Sequence, residues 1–394
     1  MDKKKTVVLA ADNNYAFQMM VAVDSLLSHV KNPLEYQLVL LVSSNFKNEY
    51  IDLLNNILHK YNAISPKFFF MDDTYSKVKI QLSHITQATF FRLALPEILS
   101  DIKKCIYLDV DILVQKSIDE LFEIEMDNFY LAGVKAAGFY YPEEKTNKIL
   151  KTLEIPSIDQ YINAGVLIIN LELMRKHNLK IRFDELIKKE YKNQDQDVLN
   201  AACYGKIKLL NPQYNLMTKY HPEDSQSYDK IPCLRYCYSK TEWEIACHEP
   251  VIIHFADVEK PWLDVSIGFA DLWWKQAIQS NLSQFIMKMY LKELHERPVR
   301  KQEKLNTELA NAKMKLQITY DEKAQRGRII RQLQEEKKSI TNKYVKQVQE
   351  NRGLQEQLKQ KESQINRIYA SHSYKIGKIV TCFPRKVKLL IKKK

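Results

Sequence analysis

The chain has 394 residues, 45% of them hydrophobic, enough for one large domain with appended segments or for two domains. Its net charge of +12 is unevenly spread: residues 297–394 carry 26 Lys/Arg against 9 Asp/Glu, so residues 1–296 are left at −5. That split excludes a basic, nucleic-acid-binding body, since the excess charge belongs to the C-terminal quarter alone.

In chain order, Thr6–Ala10 (TVVLA) is a short buried strand by its β-branched run. Residues 16–29 carry helical spacing, with Phe17, Met20, Val21, Val23, Leu26 and Leu27 on the apolar positions. Tyr36–Val42 is a second strand, Ile51–Tyr61 a helix and Lys67–Met71 a third strand. Strand–helix–strand–helix–strand at this spacing predicts a parallel sheet of βαβ units. Ligands gather at the carboxyl ends of such strands, where Ala11-Asp12-Asn13-Asn14 follows the first.

Phe90–Leu99 reads as helical, Lys104–Leu108 as a strand, Ala164–Leu171 as an apolar strand, Gln196–Cys203 as a helix and Val251–Phe255 as a last strand. Glycine is scarce, only 8 in the chain, so Gly133 and Gly165 are expected at tight places. No glycine-rich phosphate loop of either common type is present, which argues against dinucleotide-binding and P-loop functions.

Beyond about residue 296 the composition changes. Residues 301–370 lack Pro and are rich in Lys, Glu and Gln. One heptad frame aligns Leu333, Ile340, Leu354 and Ile368 on one seam position, with Tyr344, Leu358 and Ile365 on its partner. Lys337, Gln347, Asn351 and Lys361 interrupt it, so a coiled coil with polar seam positions is expected. Residues 371–394 hold eight Lys/Arg and no acid. Ile376, Ile379, Val380, Phe383, Val387, Leu390 and Ile391 there form one helical face, a basic amphipathic helix suited to an anionic membrane surface.

Asp109-Val110-Asp111 directly follows the apolar strand KCIYL and precedes Ile112-Leu113-Val114. Two carboxylates one residue apart point to one side if strand geometry persists, and they are hard ligands suited to Mn²⁺ or Mg²⁺. Such an ion can neutralise a diphosphate and improve it as a leaving group. Cys233, Cys237 and Cys247 with His248 could be read as zinc ligands, but their spacing is not Cys-x₂-Cys. The six cysteines are therefore expected as free thiols. No run approaches the length of a membrane span, and the first residues are too short for a signal-peptide core, so a cytoplasmic protein is expected.

Six blocks together resemble glycosyltransferase family 8, close to the bacterial lipooligosaccharide galactosyltransferases. They are VVLAADNNYA (7–16), ATFFRLALPEIL (88–99), CIYLDVDILV (105–114), INAGVLIINL (162–171), QDQDVLNAA (194–202) and VIIHFADVEKPW (251–262). The resemblance implies an α/β, GT-A nucleotide-sugar-binding fold with a mixed, mainly parallel sheet. It also implies a UDP-sugar donor, Mn²⁺ (or Mg²⁺), and retention of the anomeric configuration. By block, Ala10, Asp12, Asn14 and Tyr15 match the uridine site. Asp109, with Val110 between, Asp111 and His254 match the metal centre, and Lys260 matches a diphosphate contact. Arg92 matches an arginine beside the donor sugar and phosphates. Asn163 with Ala164, Asp195 and Gln196 match the donor-sugar side, Gln196 nearest the reacting carbon. One departure is Asp257, where the family commonly has glycine beside the diphosphate.

The expected organisation is a GT-A domain over 1–280, a connector over 281–300, the coiled coil over 301–370 and the basic tail over 371–394. The expected activity is transfer of glucose or galactose to a cell-surface glycan, lipid-linked or protein acceptor. Assembly into a homo-oligomer at the inner face of a membrane is expected, without a nucleic-acid partner. The alternative is a non-catalytic sugar-nucleotide-binding scaffold that recruits partners through its coiled coil.

Overall fold

The computed structural model describes residues 4–72, 75, 78, 86–140, 143–220, 227–256, 258–282, 284–288, 291 and 326–370. Asp257, Cys382, residues 301–325 and the proposed membrane-binding tail 371–394 lie outside the described residues. The chain divides into two compact units, Met1–Glu293 and Leu294–Lys394.

In the first unit a seven-stranded sheet runs in the order β3-β2-β1-β4-β7-β6-β8. Its strands are β1 (Lys5–Ala11), β2 (Tyr36–Ser43), β3 (Lys67–Met71), β4 (Lys104–Leu108), β6 (Leu131–Lys135), β7 (Ile162–Asn170) and β8 (Ile207–Leu209). β3, β2, β1 and β4 pair in parallel, as the βαβ reading predicts. β7 is antiparallel to both β4 and β6, which makes the sheet mixed. A second sheet of three strands, β5 (Ile112–Val114), β10 (Ile252–His254) and β9 (Leu216–Met217), pairs in the order β5-β10-β9.

Alternation along the strands fills two cores. Val7, Leu9, Leu38 and Leu40 face one side, packed against the helices Ala16–His29, Asn48–Lys60 and Ala270–Gln279. Val8, Ala10, Val39 and Leu41 face the other, with Phe90, Leu93, Tyr107 and Leu199. Burial on both faces explains why β1 and β2 read as continuous apolar runs.

The structure corrects several expectations. Phe90–Leu99 is not one α-helix: a 3-10 segment over Gln87–Ala94 leads into a short α-helix, Leu95–Ile98. Pro96 in that helix's first turn has no N–H to extend the ladder backwards. The strand carrying the aspartates stops at Leu108 and resumes, in the other sheet, at Ile112. The strand geometry therefore does not persist through Asp109–Asp111, and tertiary pairing instead directs those acids. Gly133 and Gly165 are indeed tight places. A Cβ on Gly133 would lie 2.7 Å from Ile162 Cδ1, and one on Gly165 would lie 2.2 Å from His254 Cε1.

In the second unit, Arg326–Ala370 is one 45-residue helix. Its seam residues Ile340 and Leu354 are 42% and 56% exposed. Among the described residues no helix is long and apolar enough to cross a membrane.

Candidate active site

The break between β4 and β5 is where the two sheets meet. Asp109 N–H donates to the Gly165 carbonyl of β7 at 2.7 Å, anchoring the first acid to the large sheet. Phe255 N–H donates to the Asp111 carbonyl at 2.9 Å, and His254 pairs in register with Ile112. Pairing of β10 with β5 thus delivers His254 beside Asp111, although 143 positions separate them in the chain. Their candidate ligand atoms, with those of Asp109, all lie within 4.8 Å of one another. It is the one such cluster among the described residues; Cys233, Cys237, Cys247 and His248 do not come together as metal ligands, and the three cysteines are in no disulfide.

Two cations flank the acids. Lys260 is buried, its Nζ 2.6 Å from Asp111 Oδ2 and 2.7 Å from the Phe255 carbonyl. Arg92 is only 4% exposed, so its ion pairs are buried ones. Its Nη2 donates to Asp109 Oδ1 at 2.8 Å, Nη1 to the Ala164 carbonyl, and Nε to the Thr89 carbonyl at 3.0 Å. The guanidinium also lies over the Tyr107 ring, 4.3 Å from its centre. Asp195 Oδ2 stands 2.9 Å from Arg92 Nε, close enough for charge attraction although the Nε hydrogen points to Thr89.

Burial opposes the Asp111 carboxylate, but the neighbouring ammonium of Lys260 leads the influences that hold its pKa well below the usual range. For Asp195 the balance reverses. Burial, with repulsion from Asp109, overcomes Arg92 and the Thr89 hydroxyl and pushes its pKa up to about 6. The backbone contributes as well. Gln194 sits at φ 53°, a left-handed conformation unfavourable for a residue with a Cβ, at the start of the helix Gln194–Cys203. Asp195 and Gln196 follow it directly.

The acids, His254, Lys260, Arg92, Asp195 and Gln196 open on one cavity of about 630 Å³. It is lined by Ala10, Tyr15, Arg92, Asp109, Val110, Asp111, Asn163, Ala164, Asp195, Gln196, His254 and Lys260. Asp12 and Asn14 are not among its walls; they line a neighbouring depression with Asn45, Gln87 and Phe91, and Ala88 borders both. Tyr15 both borders the cavity and packs edge-on against Trp262, 6.2 Å between ring centres. Asp197 lies near the start of the helix Gln194–Cys203, where its Oδ2 accepts the Asn193 N–H at 2.8 Å.

Four contributors escaped the sequence reading: Thr89, Tyr107, Tyr161 and Asn215. Thr89 donates to Asp195 Oδ1 at 2.9 Å, and Tyr161 accepts from Gln196 Nε2 at 3.1 Å. Tyr107 supports Arg92, and Asn215 lies 2.8 Å from His254 Nδ1. Thr89 and Tyr107 sit inside quoted blocks, but nothing in their types or spacing marks them. Asn215 falls in a stretch without any motif.

The sequence profile described as glycosyl transferase family 8 matches residues 6–266. The chain belongs to glycosyltransferase family 8. It is 28% identical over 256 residues to a putative glycosyltransferase of Haemophilus influenzae, covering 61% of this chain and 73% of that one. It is 26% identical over 277 residues to the lipopolysaccharide 1,2-glucosyltransferase of Escherichia coli, covering 67% and 75%. Among solved structures, the galactosyltransferase LgtC, in complex with donor and acceptor sugar analogs, superposes with a TM-score of 0.57 at 22% identity. That match covers 70% of this chain and 95% of LgtC, and it shows a shared GT-A-like fold.

Proposed function

We propose that this family 8 member is a retaining hexosyltransferase that uses a UDP-sugar donor and Mn²⁺. The observation that carries the proposal is the convergence of Asp109, Asp111 and His254 on one point of a cavity that Lys260, Arg92, Asp195 and Gln196 also line. Two carboxylates and one imidazole make a mixed oxygen and nitrogen donor set that suits Mn²⁺ and tolerates Mg²⁺. A divalent cation held there would neutralise the donor's diphosphate and stabilise it as a leaving group. Lys260 and Arg92 add fixed positive charge in a buried setting, where electrostatic stabilisation is strongest.

The uridine would occupy the end of the cavity at Ala10 and Tyr15, with Asp12 and Asn14 beside it. Asn163, Ala164, Asp195 and Gln196 would hold the sugar. Gln196 Oε1 already accepts from Asn163 Nδ2 and Ala164 N–H, each at 3.1 Å, and an amide is a weak base. It therefore orients the sugar rather than attacking it. Retention then follows from attack on the same face as departure, the leaving phosphate taking the acceptor's proton.

Among the UDP-hexoses, glucose and galactose are the two candidates, in line with a glucosyltransferase from Escherichia coli and the galactosyltransferase LgtC as relatives. The acceptor would be a growing cell-surface glycan, on lipid or protein, met by a cytoplasmic enzyme at the inner face of a membrane. The exposed Ile340 and Leu354 support pairing of Arg326–Ala370 with a second copy, and the tail 371–394 would bind anionic lipid.

A panel of UDP-sugars, scored by released UDP with and without Mn²⁺, tests the assignment. Turnover of UDP-glucose or UDP-galactose that needs Mn²⁺ and is lost in Asp109→Asn is expected. UDP binding without turnover of any sugar would instead support a scaffold. A reproducible glycosyl–protein adduct on Asp195 would overturn same-face attack.

A further inference from the structure

Asn215, in the turn Pro212–Asn215, is 1% exposed and had no place in the site as read from sequence. Its carboxamide lies between a candidate metal ligand and the sugar side of the cavity. Oδ1 is 2.8 Å from His254 Nδ1, and Nδ2 donates to Asn163 Oδ1 at 2.8 Å.

The backbone dictates the polarity of this chain of bonds. Gly165 N–H can only donate, and it meets Asn163 Oδ1 at 2.9 Å. That fixes which Asn163 atom is oxygen, so Asn215 must present its NH₂ group there. Its Oδ1 is then turned to His254, and an acceptor at Nδ1 requires that this nitrogen carry the hydrogen. In the neutral ring Nε2 is then left with a lone pair, 3.2 Å from Asp111 Oδ1 and 3.9 Å from Asp109 Oδ2. Three electron-rich atoms facing one another are the arrangement a cation requires.

The same logic runs outward. Asn163 Nδ2 donates to Gln196 Oε1, which also accepts Ala164 N–H, a second group that can only donate. Gln196 Nε2 must then donate to Tyr161 Oη, at 3.1 Å, and Tyr161 in turn donates to Asp197 Oδ1 at 2.6 Å. Two consecutive N–H groups of β7 thus set every amide between His254 and Gln196.

We infer that Asn215 is a positioning residue that holds His254 as its Nδ1–H tautomer, with Nε2 free to bind the metal, and couples that ligand to Asn163 and Gln196. The inference rests on the reading of Asp109, Asp111 and His254 as a metal site. Outer partners of this kind commonly change metal affinity by roughly 10- to 100-fold.

The test uses the full chain. Histidine-labelled ¹⁵N spectra of metal-free protein, at a pH where the ring is neutral, should show His254 with a protonated Nδ1 and an unprotonated Nε2. A proton on Nε2 would overturn the inference. Mn²⁺ binding, followed by the resonance of the free ion without donor, should weaken roughly 10- to 100-fold in Asn215→Leu. Asn215→Asp keeps an acceptor for Nδ1 and should bind Mn²⁺ near the parent level. It places a carboxylate against Asn163 Oδ1, so its donor KM should rise. A folded Asn215→Leu with parental Mn²⁺ affinity would also overturn the inference, and if that variant does not fold the ring spectra decide. Absence of Mn²⁺ binding by the parent chain would count against the metal reading, with the tautomer still reported by the spectra.

Discussion

At the scale of single residues, the site is set by close approach and by buried charge. Gly165 has no room for a side chain, since a Cβ would sit 2.2 Å from His254 Cε1 and 2.9 Å from Asp109 Oδ2. Gly165→Ala should therefore leave the sheet folded yet displace both groups, lowering Mn²⁺ affinity by about 10-fold or more. Titration with the ion, beside a far-ultraviolet spectrum, would read both effects. Asp195 is the second case. Its folded-state pKa of about 6 lies above the ordinary carboxyl value of 3.8, so the folded chain binds this proton more tightly than the unfolded one. Its contribution to stability is therefore largest at low pH and falls as pH rises from about 4 to about 6, by roughly 1–3 kcal/mol in metal-free protein. If the ionised form holds the sugar hydroxyls, kcat/KM should climb over the same rise and level off above it. That inflection should vanish in Asp195→Asn, and a pH profile of released UDP checks it.

At the scale of elements, a buried acid fastens the helices behind the large sheet. Asp24, on Ala16–His29, is fully buried. It accepts from Gln276 Nε2, on Ala270–Gln279, and from Ser280 Oγ at 2.7 Å, and pairs with Lys60 at 3.0 Å. Asp24→Ala would strand the Gln276 amide in the interior, leave Ser280 Oγ with the Gln276 carbonyl alone and remove the acid partner of a half-exposed lysine. A loss of about 3 kcal/mol is expected in urea unfolding, with Mn²⁺ affinity unchanged because no atom of the site is touched. The elements also explain what the sequence made legible. β1 and β2 are buried on both faces, so their apolar runs announced them, whereas β5, β6, β8 and β9 went unrecognised as strands. Three of these are only two or three residues long, too short to carry a period. The 3-10 segment Gln87–Ala94 has the composition of a helix, and Pro96 together with packing against the sheet decides its winding.

At the scale of the whole molecule, the family match ends at residue 266, inside the first compact unit, Met1–Glu293. Residues 1–293 expressed alone should fold and release UDP from the donor at a rate near that of the full chain. The full chain should be larger than a monomer in sedimentation, and the shortened one monomeric. A full chain that sediments as a monomer would refute pairing through Arg326–Ala370. The +17 of residues 297–394 against the −5 of the body further predicts that vesicles of anionic lipid retain the full chain and release the shortened one.

The sequence by itself determined the parallel half of the sheet, the aspartate pair, the histidine, the two tight glycines and the separation of basic tail from acidic body. These are properties of local pattern and of blocks kept in order, and they survive without coordinates. It did not determine how the Asp109–Asp111 run meets His254, nor that Lys260 pairs with Asp111, Arg92 with Asp109, and Asn215 with His254. The antiparallel register of β10 on β5, the closure of β7 against β4 and the turn before β9 decide those pairings. They join residues as far as 149 positions apart, or side chains whose partners no local pattern names. Only the folded chain brings such groups within hydrogen-bonding distance.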